Sequence, residues 1–314
     1  MPPSIIAAVI VTYQRNLELG RLLTSLEASS VQPRLIIVVD HGACSSTRVL
    51  LARFDVDTHY VAAPENPGPG GGWKTGMESA LRRLPEITHF LILDDDVVVP
   101  PDAVERLLSA SANAAITCPI LLDSDEKVWA FPEPTEPALR AIIRKVKTPE
   151  ECMQALGISP LPFLWCTGAC VLVRRDAVDA VGYHRTDFWM LGEDLEYSMR
   201  LVGFGGGLYL PNLFVSHLPP VAKDSAQAEI DHRRKFNSLL QNLAYLSFHH
   251  PNSAHLKWYL AGNARRYFRT FGWNSTSFFN IAKAYGRGAL FGQPSGSKRN
   301  LFLKYHPPKT KQFL

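Results

Sequence analysis

Three adjacent carboxylates, Asp94, Asp95 and Asp96, interrupt an apolar stretch in THFLILDDDVVVPP, Thr88 to Pro101. Phe90 to Leu93 predicts a strand buried on both faces, and Val97, Val98 and Val99 restore the apolar run. Adjacent anions at the end of a buried strand repel one another and are costly unless something cationic is present. Mg²⁺ or Mn²⁺ binds carboxylate and phosphate oxygens together, so a divalent ion with a diphosphate answers that cost. The bland alternative is an exposed acidic turn. A second acidic pair, Glu193 and Asp194, opens a predicted helix in GEDLEYSMR. Acids there stabilise the helix dipole by ~0.3–1 kcal/mol each. Alternatively, one of them is a general base beside a sugar hydroxyl. His217 ends a predicted strand, Gly207 to Ser216. It is either incidental or a neutral imidazole that completes a metal site begun by the carboxylates.

The elements that would hold these groups alternate. Ile5 to Val11 predicts a first strand, ending in Thr12-Tyr13-Gln14-Arg15-Asn16. A helix follows, with Leu19, Leu22, Leu23 and Leu26 on one face. Arg34 to Val39 is a second apolar strand, ending in Asp40. Ser45 to Phe54 predicts a helix capped by Ser45 or Ser46, and Thr58 to Ala62 a third strand. This βαβαβ order implies a doubly wound, mostly parallel sheet, where ligands gather at the carboxyl ends of strands. Asn66-Pro67-Gly68-Pro69-Gly70-Gly71-Gly72-Trp73 reads as a flexible loop running into a helix, able to approach an anion closely or merely to turn the chain. Pro101 opens a helix to about Ser111, and Ala114 to Leu121 is another strand. Val128 to Phe131 is a short strand. Thr135 to Gly157 predicts two helices broken near Pro149. Leu161 to Arg175 predicts one strand containing Gly168, where a ligand or backbone approaches, with Cys166 and Cys170 on one core-packed face.

The chain's 314 residues suffice for one large α/β domain and an appendage. No apolar run reaches the eighteen or so residues of a membrane span. Ile5 to Val11 is short and lacks a basic leader, so it predicts a strand and not a signal peptide. Five cysteines without a CxxC pair suggest free thiols in a reducing cytoplasm. Residues 223–314 carry 15 Lys and Arg against 3 Asp and Glu, whereas residues 1–222 carry 18 against 26. The expected organisation is an acidic catalytic domain, 1–222, followed by a basic helical region, 223–314.

The order VIVTYQRN, VVDHG, the Asn66 glycine segment, LDDDVVVP, FLWCTGACVLVRR, and GEDLEYSMR followed by His217 resembles the family 2 inverting glycosyltransferases of GT-A fold. The resemblance covers roughly residues 4–220. It implies a mixed, mostly parallel GT-A sheet and a Mn²⁺ or Mg²⁺ cofactor. It places Thr12, Tyr13, Arg15, Asp40, Asn66, Gly71, Gly72, Trp73, Asp94 and Asp95 around the nucleotide-sugar donor. Asp94, Asp96 and His217 would hold the metal. Asp194 would be the catalytic base, with Glu193 assisting or binding acceptor. Trp165, Gly168 and Trp189 would lie on the acceptor side. NPGPGGGW and VWAFP are also similar to actinobacterial galactofuranosyltransferases that use a lipid-linked acceptor, with Pro69 and Trp73 departing from their loop. This favours UDP-galactofuranose as donor, with dTDP-rhamnose second.

The tail predicts three basic helices with interleaved aromatics, Asp231 to Phe248, His255 to Phe271 and Ser275 to Phe291. They read either as an anionic membrane surface contact or as helices with a packed apolar face and a solvated basic rim. Peripheral association at the inner face of the plasma membrane would suit a polyprenyl-diphosphate acceptor. Homo-oligomer contacts are also open to this region, and no motif supports nucleic acid. KYHPPKTKQFL at the end is expected to be flexible. Two rivals of another class are a sugar nucleotidyltransferase, which would release pyrophosphate, and a non-catalytic sugar-binding module, which would hydrolyse no donor. The first normally carries a Gly-rich basic loop after its first strand, where this chain has TYQRN.

Overall fold

The structure, a computed structural model, describes residues 4–219, 226–250 and 254–290. The terminal KYHPPKTKQFL and Phe291 lie outside the described residues. The chain divides into two compact units, Met1–Asp224 and Ser225–Leu314.

The first unit opens as βαβαβ, with β1 (Ile6–Thr12), α1 (Asn16–Glu27), β2 (Leu35–Asp40), α2 (Ser45–Leu51) and β3 (Thr58–Ala62). It continues through α3 (Gly68–Arg83), β4 (His89–Asp94), β5 (Val97–Val98), α4 (Ala103–Ser111), β6 (Ile116–Leu122), β7 (Val128–Ala130) and β8 (Glu133–Pro134). Then come α5 (Pro137–Ile143), α6 (Pro149–Leu156), β9 (Leu161–Trp165), β10 (Cys170–Arg174), α7 (Arg175–Val181), α8 (Glu193–Gly205) and β11 (Gly207–His217).

The sheet runs in the order β3-β2-β1-β4-β10-β6-β11-β9-β8, with β5 beside β11 and β7 beside β6. Strands β3, β2, β1 and β4 are parallel neighbours, β10 is antiparallel to both β4 and β6, and β11 returns parallel to β6. Successive residues of each central strand alternate between two cores. Val9, Ile37, Val39, Phe90 and Ile92 pack beneath Trp73, Met77 and Ala80 of α3, with Tyr197 and Leu201 of α8. Ala8, Ile10, Ile36, Val38, Leu91 and Leu93 meet Leu19, Leu22, Leu23 and Leu26 of α1 and Leu107 of α4. Helices cover both faces, which is why these strands read as unbroken apolar runs.

Several boundaries differ from the sequence reading. The glycines from Gly68 to Gly72 form the opening turns of α3 and not a loop. Small residues let that helix come close to the sheet: a Cβ on Gly72 would lie 2.7 Å from Val11 and 2.9 Å from His41 Nε2. Cys44, not a serine, occupies the cap position of α2, and Pro101 lies before the Asp102 cap of α4. Leu161 to Arg175 is two strands. β9 pairs with β11 and β8, while β10 pairs with β4 and β6, so Gly168 lies in the link between them. Cys166 and Cys170 therefore face opposite cores, although both are buried thiols.

The second unit holds α9 (Ala226–His249), α10 (Ala254–Phe271) and α11 (Ser275–Leu290). Phe236 of α9 packs edge-on against Tyr267 and Phe271 of α10, with ring centroids 5.4 and 6.0 Å away. Gly288 of α11 meets α9 closely, since a Cβ there would lie 2.5 Å from the Gln241 carbonyl oxygen. The helices thus bury apolar faces against one another. Trp258, Trp273 and Phe279 remain 82, 68 and 65% exposed. No helix among the described residues is long and apolar enough to cross a membrane.

Candidate active site

Parallel register brings the chemistry to one edge. Thr12 of β1 stands opposite Asp40 of β2, and Val11 stands opposite Asp94 of β4. The polar ends of three strands therefore finish level, at the edge where open α/β sheets bind ligands.

The three acids do different jobs. Asp95 is buried and accepts the Thr12 hydroxyl at 2.7 Å and Arg15 Nη1 at 3.0 Å. The same Nη1 donates to Asp96 Oδ2 at 2.9 Å. Arg15 thus supplies a protein cation to Asp95 and Asp96, which the sequence reading, placing it only near the donor, did not expect. Asp94 is half-buried at the strand end. Burial, then the Asp96 and Asp95 charges, push its carboxyl up to about 7 against the pull of His217. Burial also lifts Asp95 to about 6, against Arg15 and Thr12. Burial works the same way on Asp96, but His217 and Arg15 outweigh it and hold that carboxyl below its ordinary value.

His217 comes from β11, whose end pairs with Val97 of β5. Its Nε2 lies 3.3 Å from Asp96 Oδ1. One ligand atom each from Asp94, Asp96 and His217 falls within 4.8 Å of the others. Asp96 Oδ1 is buried, and its close polar neighbour is His217 Nε2 at 3.3 Å. A divalent cation fits this place, with two hard oxygens and an imidazole nitrogen converging.

Asp194 sits in the first turn of α8, behind Gly192 at φ 100°, a left-handed position that glycine takes without strain. Its Oδ1 accepts the Leu195 N–H at 2.8 Å and its Oδ2 accepts the Gly168 N–H at 3.2 Å. Burial raises its pKa, opposed by those amides. Glu193 is buried, with an Oε2 that meets no donor. Burial and then the Asp194 charge raise its pKa well above the ordinary value. The amides that Asp194 accepts favour its ionised form, which makes it the candidate base of the pair.

The remaining sequence-selected residues fall in three groups. Tyr13 is 52% exposed just past the end of β1. Asp40 is fully buried, with its oxygens accepting the N–H groups of Gly42 at 2.7 Å and Cys44 at 2.9 Å, so it shapes the loop after β2 and offers no open oxygen. Asn66 takes a left-handed φ of 43° and its side chain accepts the Gly68 N–H at 3.3 Å. Gly71, Gly72 and Trp73 are buried within α3. Trp73 presents no ring to a donor, because it packs in the core, 5.0 Å from His184, and reaches the Leu93 carbonyl at 3.5 Å. It supports the site from below: a Cβ on Gly168 would strike its ring at 2.9 Å. Trp165 is half-buried on β9 opposite Glu133 of β8. Trp189 is half-buried, and its carbonyl packs on Gly68.

Two supporting features escaped the sequence reading. Arg200 forms a bidentate pair with Glu196, 2.8 Å at both contacts, and donates to the carbonyls of Val181 at 2.7 Å and Tyr183 at 2.9 Å. This buried clamp ties α8 to the segment after α7, and its only trace in the sequence is an i,i+4 Glu–Arg spacing. The second is Trp129, stacked on His217 with ring centroids 4.3 Å apart.

The glycosyltransferase-like family 2 model matches residues 2–238. The chain belongs to glycosyltransferase family 2. This glycosyltransferase is 25% identical over 237 residues to the N-acetylglucosaminyl-diphospho-decaprenol L-rhamnosyltransferase of Mycobacterium tuberculosis, covering 68% of this chain and 76% of that protein. It is 29% identical over 204 residues to galactofuranosyltransferase GlfT1 of the same organism, covering 63% of this chain and 64% of that one. Among solved structures, S. aureus TarS 1–349 with UDP superposes at TM-score 0.58 and 14% identity, covering 90% of this chain and 80% of that chain. The Pyrobaculum calidifontis mannosyltransferase PcManGT with GDP-Man and Mn²⁺ gives 0.54 at 16% identity, covering 92 and 76%. The two structural likenesses establish the GT-A type sheet, and the family match makes the chain a hexosyltransferase.

Proposed function

We propose that this enzyme transfers a sugar from a nucleoside diphosphate donor to a hydroxyl of a lipid-linked glycan acceptor, with inversion at the anomeric carbon. The observation that carries the reading is the convergence of Asp94, Asp96 and His217 within 4.8 Å at the carboxyl edge of the sheet. A bound Mn²⁺ or Mg²⁺ there supplies charge neutralisation for the departing diphosphate. Arg15 and Thr12 hold Asp95 and Asp96 in place beside it. Asp40 orders the loop next to the nucleotide, and Tyr13 offers its exposed ring to the base. Asp194, aimed by the Gly168 and Leu195 amides, takes the proton of the attacking hydroxyl.

Two donors are supported. The L-rhamnosyltransferase relative, matched over 76% of its length, favours dTDP-rhamnose. The GlfT1 relative, with its higher identity of 29%, favours UDP-galactofuranose. The first name carries a diphospho-decaprenol, which supports a lipid-linked acceptor. The test is donor hydrolysis by the purified enzyme with Mn²⁺, comparing the two nucleotide sugars. Cation-dependent release of UDP or dTDP supports the reading, and release of pyrophosphate or of nothing defeats it.

The second unit supplies a membrane-surface contact in this reading. From Ala254 to Leu290 the chain has six Lys and Arg and no Asp or Glu, beside exposed Trp258, Trp273 and Phe279. Cations with interfacial aromatics suit an anionic bilayer surface.

A further inference from the structure

Trp129 has no part in the chemistry above, yet three observations single it out. It is 51% exposed, although its ring lies flat against His217, with centroids 4.3 Å apart and planes 16° from parallel. It also occupies an irregularity in pairing. Ala130 stands opposite Leu121 and Val128 opposite Leu122, so Trp129 is the extra residue of a bulge. Bulges bend a strand and re-aim a side chain, often beside active sites. Leu122 in turn pairs with Ser216, the residue before His217. The bulge therefore lies next to the strand end that carries the imidazole.

His217 needs such support. Rotation about its ring torsion is broad, so the backbone alone does not set the imidazole plane. A metal-binding histidine is usually oriented by a hydrogen bond from its other ring nitrogen. Among the described residues the imidazole's polar contact is Nε2 to Asp96 Oδ1 at 3.3 Å, and its other ring nitrogen has no such partner. Its side chain is nonetheless only 11% exposed. The indole covers what a polar partner would otherwise hold.

We propose that Trp129 is a positioning residue for His217. Its indole fixes the imidazole plane so that Nε2 stays turned toward Asp94 and Asp96, and it keeps water from that ring face. The inference rests on the cation site of the proposed function.

The experiment titrates Mn²⁺ into full-length protein, following free Mn²⁺ by electron paramagnetic resonance, with UDP present and in parallel with dTDP. Trp129→Ala weakens Mn²⁺ about 10- to 100-fold, the range for lost outer support of a metal ligand. Trp129→Phe, which keeps a ring face, stays within about threefold of the parent on the same scale. Trp129→Leu fills the bulge without a ring and falls with Ala. Thermal unfolding without metal identifies any variant that fails to fold, and the Phe and Leu pair then decides the matter. The inference is overturned if folded Trp129→Ala or Trp129→Leu binds Mn²⁺ as tightly as the parent. It is also overturned if Trp129→Phe falls as far as Leu. If the parent takes up no Mn²⁺ while still binding a nucleotide, the cation site itself is wrong, and this inference goes with it.

Discussion

Gly168 donates its backbone N–H to Asp194 Oδ2 at 3.2 Å, joining the β9–β10 link to the first turn of α8. The contact needs a residue without a side chain, because a Cβ would lie 3.3 Å from Asp194 Cβ and 2.9 Å from the Trp73 ring. One short link thus aims the proposed base and rests on the core beneath it.

Asp194→Asn should therefore keep donor affinity and lower the transfer rate by ~10²–10⁴, the usual contribution of a general base. Nucleotide binding by calorimetry and transfer by product analysis separate the two effects. An unchanged transfer rate would remove Asp194 from the chemistry.

The pH profile should follow the same group. Burial raises the Asp194 pKa above its ordinary 3.8, and a base works only when ionised. Transfer should fall as pH drops through that raised value and level off above it. In Asp194→Asn the residual rate should lose this acid limb.

Cation binding should also depend on pH, in a direction fixed by Asp94. With its folded pKa at about 7, above the ordinary 3.8, Asp94 holds its proton more tightly in the folded state. Its contribution to metal-free stability is complete below 3.8 and is lost as pH rises through about 7. Mn²⁺ must displace that proton, so the rise in Tm on adding Mn²⁺ should be larger near about pH 8 than near about pH 6. Equal rises would argue against Asp94 as a ligand.

Arg15→Ala removes the counter-ion shared by Asp95 and Asp96. The acids are almost fully buried while the Arg15 side chain is 38% exposed, so the full cost of breaking a buried pair is reduced by solvent. We expect a loss of about 1–3 kcal/mol in urea unfolding, partly recovered when Mn²⁺ is present. A loss that Mn²⁺ does not reduce would place Arg15 and the cation at independent sites.

Full-length protein should sediment with phosphatidylglycerol vesicles and not with phosphatidylcholine vesicles, and added salt should release it. Trp258→Ala together with Trp273→Ala should weaken binding, since both rings are exposed. No sedimentation with either vesicle would end the membrane reading.

Much of this site was legible because strand ends are readable. Apolar runs stop at Thr12, Asp40 and Asp94, and the alternation of elements places those stops on one edge. His217 was reachable for the same reason. What stayed hidden depended on contacts between distant segments. Trp73 looks like a ligand-facing aromatic after glycines, but those glycines continue as helix and carry it into the core. Gly168 looks like a residue within a strand, because the four residues from Cys166 to Ala169 change strand partners without any proline or charged residue. The tie from Arg15 to Asp95 and Asp96 spans about eighty positions, and no local pattern reports it.

The level finish of β2, β1 and β4 has a consequence for altering this enzyme. Sliding β4 by one position would exchange its two packed faces as well as withdraw Asp94, so fold and cation grip cannot be tuned separately there. The link from Cys166 to Ala169 and the segment from Tyr183 to Gly192 lie outside the strand ladder, so changes there leave its register in place. Exchanging those segments between relatives would leave the strand ends at Thr12, Asp40 and Asp94 intact.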